Sequence, residues 1–203
     1  MPYYLIELDS RLREEVVKAH ELLKKIFKNM VREYFGENVS HIIDIKLHNL
    51  FERSLSIIVT EEERFRVIVF NPEKKVIKAQ IESKSIAEGK IKPARYRLIR
   101  DFEGKARLIV EGKIPYDELS YLVLVDEEKG ICECKAFEIG LQKVLHREKK
   151  LGIEDSNISY PCKHVIAVLS IYSSVRKLLD ESFSVEKLPL LEKLVRRFVI
   201  SNL

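Results

Sequence analysis

The chain has 203 residues, 46% of them apolar, so it can bury a sizeable core as one large domain or two small ones. Its 33% charged residues are mostly Lys, Glu and Arg, beside two glutamines and two methionines, which resembles a heat-adapted, thermophile composition, and a net charge of +4 permits nucleic-acid binding without requiring it. No apolar run approaches about 18 residues and no charged-then-apolar leader opens the chain, which argues against a membrane span or export signal and for a cytoplasmic protein.

After a short, mostly apolar start from Pro2 to Leu8, a long helix is predicted from about Arg11 to Tyr34, with Asp9 or Ser10 as cap and Gly36 as stop. Leu12, Val16, Ala19, Leu23, Ile26, Phe27, Met30 and Tyr34 recur at steps of three and four as its buried stripe, while Lys24, Lys25 and Lys28 lie elsewhere around it. His20 reads as a packed or partly exposed residue, because no second ligand stands three or four positions away. From His41 onward the period shortens, and β-rich runs predict strands at His41 to Leu47, Leu55 to Thr60, Phe65 to Phe70 and Val76 to Glu82. His41 and His48 fall at the edges of such strands without partners at ligand spacing. Asn71-Pro72-Glu73-Lys74 reads as a hairpin connection. Two further strands, Arg95 to Arg100 and Ala106 to Glu111, flank the tight connection Asp101-Phe102-Glu103-Gly104, so the middle of the chain reads as an antiparallel sheet.

Lys90, Lys92, Arg95, Arg97, Arg100, Lys105 and Arg107 crowd a stretch whose only acids are Asp101 and Glu103. Strand alternation puts Arg95 and Arg97 on one face, where guanidinium groups can track a phosphate backbone, and Tyr96 on the other. The competing reading is a solvated sheet face whose charges discourage edge-to-edge pairing.

The densest chemistry runs from Ile131 to Leu169 and holds every cysteine of the chain, as Cys132-Glu133-Cys134 and Cys162-Lys163-His164. Ser120 to Val125, the acidic and exposed turn Asp126-Glu127-Glu128-Lys129-Gly130, and Ile131 to Cys134 predict a hairpin. Its second strand would present Cys132 and Cys134 side by side on one face. On a helix, i and i+2 do not share a face, so the second pair belongs at a helix entrance. Pro161 suits the first turn there, and Val165, Val168, Leu169, Tyr172, Val175 and Leu179 continue as an apolar stripe. The positive end of that helix favours the thiolate of Cys162. Three thiolates and one imidazole make a closed shell for one structural Zn2+. An odd cysteine count argues against disulfides, and three inert buried cysteines are the blander alternative. Lys135 and Lys163 would offset the net charge of about −1 on such a centre.

In the spacer, Lys143, Arg147 and Lys150 form the basic face of a short amphipathic helix predicted from Leu141, with Val144, Leu145 and Leu151 largely elsewhere, before a polar loop reaches Ser159. His146 lies inside it and competes with His164 as the fourth ligand. The helix behind the second pair ends at Asp180-Glu181-Ser182. A last helix from Pro189 to Ile200 buries Leu191, Leu194, Val195 and Phe198, with Glu192, Lys193, Arg196 and Arg197 around them, and either covers the core or binds a partner.

Cys-x-Cys, a spacer and Cys-x-His ahead of an apolar helix resemble the SWIM zinc-finger family; Phe137 and the run Pro161-Cys162-Lys163-His164-Val165-Ile166-Ala167-Val168-Leu169 are similar to it closely, over about a quarter of the chain. The resemblance implies a β-hairpin followed by a helix, Cys132, Cys134, Cys162 and His164 as zinc ligands, and an insertion after Gly140 in a spacer at or past the usual upper length. The expected fold class is α+β: an N-terminal long helix, an antiparallel β-sheet, a ββα SWIM zinc module and a C-terminal helix. Residues 1–112 would hold the helix and sheet and residues 113–203 the zinc region, with its core at 119–179, a soft boundary best placed at Gly112 to Pro115, or all of it one domain.

Proteins with SWIM domains bind DNA or other proteins, and this chain lacks the catalytic domains of the larger ones. It also has no phosphate-binding glycine loop, no nucleophile elbow, no Cys-His dyad beyond the ligands and no open metal position, so a non-enzymatic protein is expected. Ala167, in Cys162-x-His164-x-x-Ala167, is similar to the extended pattern of SWIM-containing subunits of Shu-type recombination complexes and their archaeal relatives. That resemblance implies an accessory factor of homologous recombination, acting with a RadA-type recombinase paralogue on DNA, single-stranded DNA favoured. Arg95, Arg97, Lys143, Arg147, Lys150 and Lys163 are the candidate contacts. The alternative is a protein–protein interaction module with purely structural zinc and no direct DNA contact.

Overall fold

The computed structural model describes residues 3–36, 41–83, 95–100, 106–111, 120–153 and 158–203, with backbone alone for 95–100 and 106–111. Helix α1, Ser10–Phe35, begins where the Asp9 carboxylate accepts a hydrogen bond from Leu12 N at 2.7 Å and ends at Gly36, whose φ of +67° suits glycine. Val16, His20, Leu23, Ile26, Phe27 and Val31 are its buried residues; Tyr34, expected inside, is half exposed.

Helix α2, His41–Val59, replaces the two strands expected at His41 to Leu47 and Leu55 to Thr60. Ile43, Leu47, Phe51, Ser54 and Ile58 are buried and recur at steps of three and four, a helical period that tertiary packing enforces over the β preference of the flanking isoleucines. Phe51 packs edge-on against Phe27 of α1, with ring centroids 5.5 Å apart. His41 and His48 therefore lie on a helix, both exposed, instead of at strand edges.

Five strands, β1 (Tyr4–Leu5), β2 (Phe65–Asn71), β3 (Val76–Glu82), β6 (Ser120–Val125) and β7 (Gly130–Cys132), form an antiparallel sheet in the order β1-β2-β3-β6-β7. The β2–β3 turn is closed by Asn71 Oδ1 accepting from Lys74 N at 2.9 Å. β3 pairs with β6 from Ile77↔Val125 to Glu82↔Ser120, so one sheet joins residues on both sides of position 112. β4 (Arg95–Arg100) and β5 (Ala106–Glu111) pair in a separate two-stranded sheet, in the expected places. The connection at residues 101–104 and the candidate boundary Gly112 to Pro115 lie outside the described residues.

Three helices complete the fold: α3 (Lys135–Lys150), α4 (Lys163–Leu179) and α5 (Pro189–Asn202). An amphipathic stripe was expected of α4, yet it is buried all round from His164 to Arg176. It lies between the inner sheet face, where Ile77, Ile81, Val123 and Val125 are buried, and the α1–α2 pair. Ser170, Ser173 and Ser174 survive in this core because each hydroxyl donates to the carbonyl four residues back, at 2.8 to 3.1 Å. Leu179 instead ends up exposed, at the mouth of the helix. α5 covers the core between α1 and α3, with Phe198 edge-on to Phe27 at 5.7 Å. The architecture is α+β, with five helices and a five-stranded sheet among the described residues. No described helix is long and apolar enough to cross a membrane.

Candidate metal centre

Strand β7 ends on Cys132, while Cys134 is the N-cap of α3 in extended backbone, φ −72° and ψ 149°. The two cysteines are therefore not a pair on one strand; the chain turns between them from sheet to helix, and Cys134 N donates to Cys132 Sγ at 3.4 Å. Cys162 is the N-cap of α4, and its Sγ accepts from Val165 N at 3.5 Å. Pro161 precedes this cap and lies outside the first helical turn. A sulfur that receives backbone N–H groups at a helix start is stabilised as thiolate.

His164, in the first turn of α4, completes the group. The ligand atoms of Cys132, Cys134, Cys162 and His164 all lie within 4.8 Å of one another, and all four residues are buried. Cys132 Sγ and His164 Nδ1 are 3.7 Å apart. Tetrahedral zinc with Zn–S of about 2.3 Å and Zn–N of about 2.0 Å places sulfur and nitrogen about 3.5 Å apart, so these donors fit the ion. The imidazole leans on Tyr121, ring centroids 5.1 Å apart, and its Nε2 is buried without a hydrogen-bond partner. His146 is exposed on α3 and stands outside the group, which settles the fourth ligand as His164.

Hydrogen bonds from Cys132 and Cys162 hold the Cys134 thiol far below its ordinary range. Cys132 is pushed up by the hydrogen bond it gives to Cys134, Cys162 by burial, and burial lowers His164 so that its imidazole stays neutral. Three sulfurs and one neutral imidazole, out of water, form a soft donor set suited to one Zn2+. Residues 121–173 match the family model described as SWIM zinc finger.

This chain carries a SWIM zinc finger. No curated protein and no solved structure matches the chain. In this finger α3 starts directly on Cys134 and runs unbroken through Gly140, so the helix expected from Leu141 begins six residues earlier, at Lys135. A Cβ at Gly140 would meet the Tyr160 ring at 2.2 Å, which is why glycine stands there. Phe137 is buried, edge-on to the same Tyr160 ring at 6.2 Å.

The SWIM spacer is held by a buried charge pair, of which Arg197 was expected around the stripe of α5, not within the core. Arg197 of α5 and Glu148 of α3 are buried together, with Arg197 Nη2 3.3 Å from Glu148 Oε2, and Arg197 Nη1 donates to Ser159 O at 2.6 Å. Ser159 Oγ accepts in turn from Gly130 N, at 2.9 Å, where β7 begins. One signal was available: Arg197 lies three residues after Leu194 and Glu148 four after Val144, each on the apolar face of its helix. The acidic turn before β7 is also less exposed than expected. Glu127 accepts from Arg176 at 2.7 Å, which lowers its pKa, and Glu128 pairs with Lys193.

Of the candidate nucleic-acid residues, Lys143 and Lys150 are exposed on α3, and Lys163 is half-buried at the start of α4, where burial and then Arg64 lower its pKa. Arg147 is committed to the fold, Nη1 donating to Ile200 O at 2.7 Å. Arg95 and Arg97 stand in β4 opposite Glu111 and Ile109, and their side chains lie outside the described residues. Lys135, expected beside the sulfurs, pairs with Glu138 at 2.8 Å.

Proposed function

We propose that this protein is a non-catalytic, zinc-braced nucleic-acid-binding protein, an accessory factor of homologous recombination that works with a RadA-type recombinase paralogue on single-stranded DNA. The metal donors are buried and four in number, which suits a structural ion and leaves function to the surface that the ion braces. One observation carries the nucleic-acid reading: Lys143 and Lys163 stand on the two helices that begin at ligand cysteines, and both open on one recess. The recombination part is supported by the Cys162-x-His164-x-x-Ala167 pattern, whose Ala167 is fully buried in α4.

The test is binding of the zinc-loaded chain to a labelled single-stranded oligonucleotide at about 50 and 200 mM salt. Three phosphate contacts at a slope of about −0.7 each weaken binding about 20-fold between those concentrations. Lys143→Glu with Lys150→Glu weakens it further at low salt. Co-purification with a RadA-type paralogue tests the recombination part separately.

A second reading, a protein-interaction module, is favoured by the apolar groove between α1 and α4. Leu22 and Leu178 line it and are 49% and 61% exposed. Phe198 belongs to the core instead and is no part of such a surface. Zinc-loaded protein that ignores the oligonucleotide at both salt concentrations supports this second reading.

A further inference from the structure

Beside the metal centre, a cleft of about 640 Å³ opens between α2, α3, α5 and the start of α4. Its volume falls in the range of ligand pockets, about 300 to 1,000 Å³. Lys46 and Arg53 of α2, Lys143 of α3 and Lys163 of α4 line it, and among the described residues no Asp or Glu does. Cations of three helices thus converge on one recess although the whole chain is nearly balanced in charge.

Four acids on or just after α2 and α3 pair with cations outside the cleft, and of these Glu61 also acts electrostatically on Lys163. Asp44 pairs with Lys28 at 3.8 Å, Glu52 with Lys24 at 2.7 Å, Glu61 with Arg64, and Glu138 with Lys135 at 2.8 Å. Lys46 Nζ donates to the neutral Asn202 Oδ1 at 2.8 Å, so its charge is not cancelled there. Arg53, Lys143 and Lys163 make no ion pair among the described residues.

The walls are apolar. Ile139 is 43% exposed on the cleft and the half-buried Tyr160 ring forms another side. Gly140 lets that ring lie against α3, and Phe137 braces its edge. Cations at the rim with an aromatic wall match the demands of a strand whose bases are unpaired: phosphates meet the ammonium and guanidinium groups, and a base stacks on the ring. A duplex hides its bases and meets a protein with phosphates on a convex surface, so it has no use for the apolar wall.

Resting on the nucleic-acid reading above, we infer that this cleft is where single-stranded nucleic acid binds, phosphates on Lys46, Arg53, Lys143 and Lys163 and a base against Tyr160. Arg95 and Arg97 are not needed for it.

The experiment uses full-length, zinc-loaded protein and a fluorescein-labelled oligothymidylate, titrated across a salt series, with a duplex of equal length as a second probe. Lys46→Glu with Arg53→Glu lies away from the ligands and alters exposed side chains. It weakens binding at least tenfold and flattens the slope of log affinity against log salt by about 1.4, two contacts at about 0.7 each. Tyr160→Leu weakens binding about 5- to 100-fold with the slope unchanged. Lys74→Glu with Lys78→Glu, the same charge change on the β2–β3 hairpin, stays within about threefold of the parent protein, and the duplex binds at least tenfold more weakly than the single strand. All variants keep one zinc ion. If the parent protein binds in a salt-dependent way and both the Lys46/Arg53 and Tyr160 variants match it, the cleft assignment is overturned while the nucleic-acid reading stands. Equal loss in the hairpin control overturns the cleft as well, leaving only a general charge effect. If the parent protein does not bind the oligonucleotide, both fail together.

Discussion

Cys134 and Cys162 occupy the same place on two different helices: each is the residue that caps the helix N-terminus, one on α3 and one on α4. With Cys132 at the end of β7 and His164 in the first turn of α4, the four donors tie a strand and two helix starts to a single point. Zinc-finger sites of this kind are worth about 10 to 16 kcal/mol in apparent binding energy, so order around this point depends on the ion. Only part of that energy appears as global stability here, because the ligand cysteines are a small part of one continuous hydrophobic core to which α1, α2, α4, α5 and the sheet also contribute.

The first expected outcome follows directly. Chelation, or Cys162→Ser, raises amide exchange across β7, α3 and the first turn of α4 well before it does so in α1. Uniform loss of protection along the chain would mean that the metal end and the helical core unfold as one unit.

Arg197 and Glu148 give a second. Removing one partner strands the other charge in the core and costs about 3 to 5 kcal/mol, so Arg197→Met and Glu148→Leu each destabilise strongly in denaturant titrations. The double variant recovers part of the loss, since no buried charge remains. It does not recover all, because Ser159 O still loses its donor. Additive losses in the double variant would show that the two charges do not depend on each other.

His20 gives a pH dependence with a definite sign. Ser54 Oγ donates its single proton to Phe51 O at 2.8 Å, so the 2.7 Å contact to His20 requires Nε2 to donate, and Nδ1 is left buried without a partner. Burial, with Lys24 nearby, lowers the His20 pKa from 6.5 to about 4. Above pH 6.5 the imidazole is neutral folded or unfolded and costs nothing. Below 6.5 the unfolded chain takes a proton that the folded one refuses, and stability falls by about 1.4 kcal/mol per pH unit until about pH 4, about 3 kcal/mol in all. The zinc ligands also titrate in acid, so the quantity to measure is the stability difference between the parent protein and His20→Leu/Ser54→Ala, with zinc present. That difference shifts against the parent as pH falls from 6.5 to 4.5; a constant difference contradicts the assignment.

Gly140→Ala places a methyl group in the Tyr160 ring and costs about 1 to 3 kcal/mol as overpacking. In a Tyr160→Ala background the same change costs less, because the obstacle is gone, and thermal unfolding of the four proteins in the cycle reads this directly. Equal cost in both backgrounds would place the strain elsewhere.

What the sequence revealed and what it hid divide along one line: how local the cause is. Val76–Glu82 was legible to the residue because strand alternation is a property of neighbours, and the same holds for the Gly36 stop of α1, while its cap was narrowed to Asp9 or Ser10 and proves to be Asp9. The metal ligands were legible because cysteines are few and every one falls into a tight pair. α2 was misread because Ile42, Ile43 and Ile45, then Ile57, Ile58 and Val59, look like strands in short windows, whereas the helical period shows only across the whole segment. Cys134 was placed on the strand because nothing between Cys132 and Lys135 marks where β7 stops. Arg197 and Glu148 stand 49 residues apart, and no local rule brings two charges together in a core over that distance.

The most direct measurement is elemental analysis of the full chain, purified reduced and without chelator, alongside Cys162→Ser and His146→Ala. One zinc ion per chain is expected, retained in His146→Ala and lost in Cys162→Ser. Metal-free protein, or zinc retained equally by all three, would contradict the centre from which the rest is built.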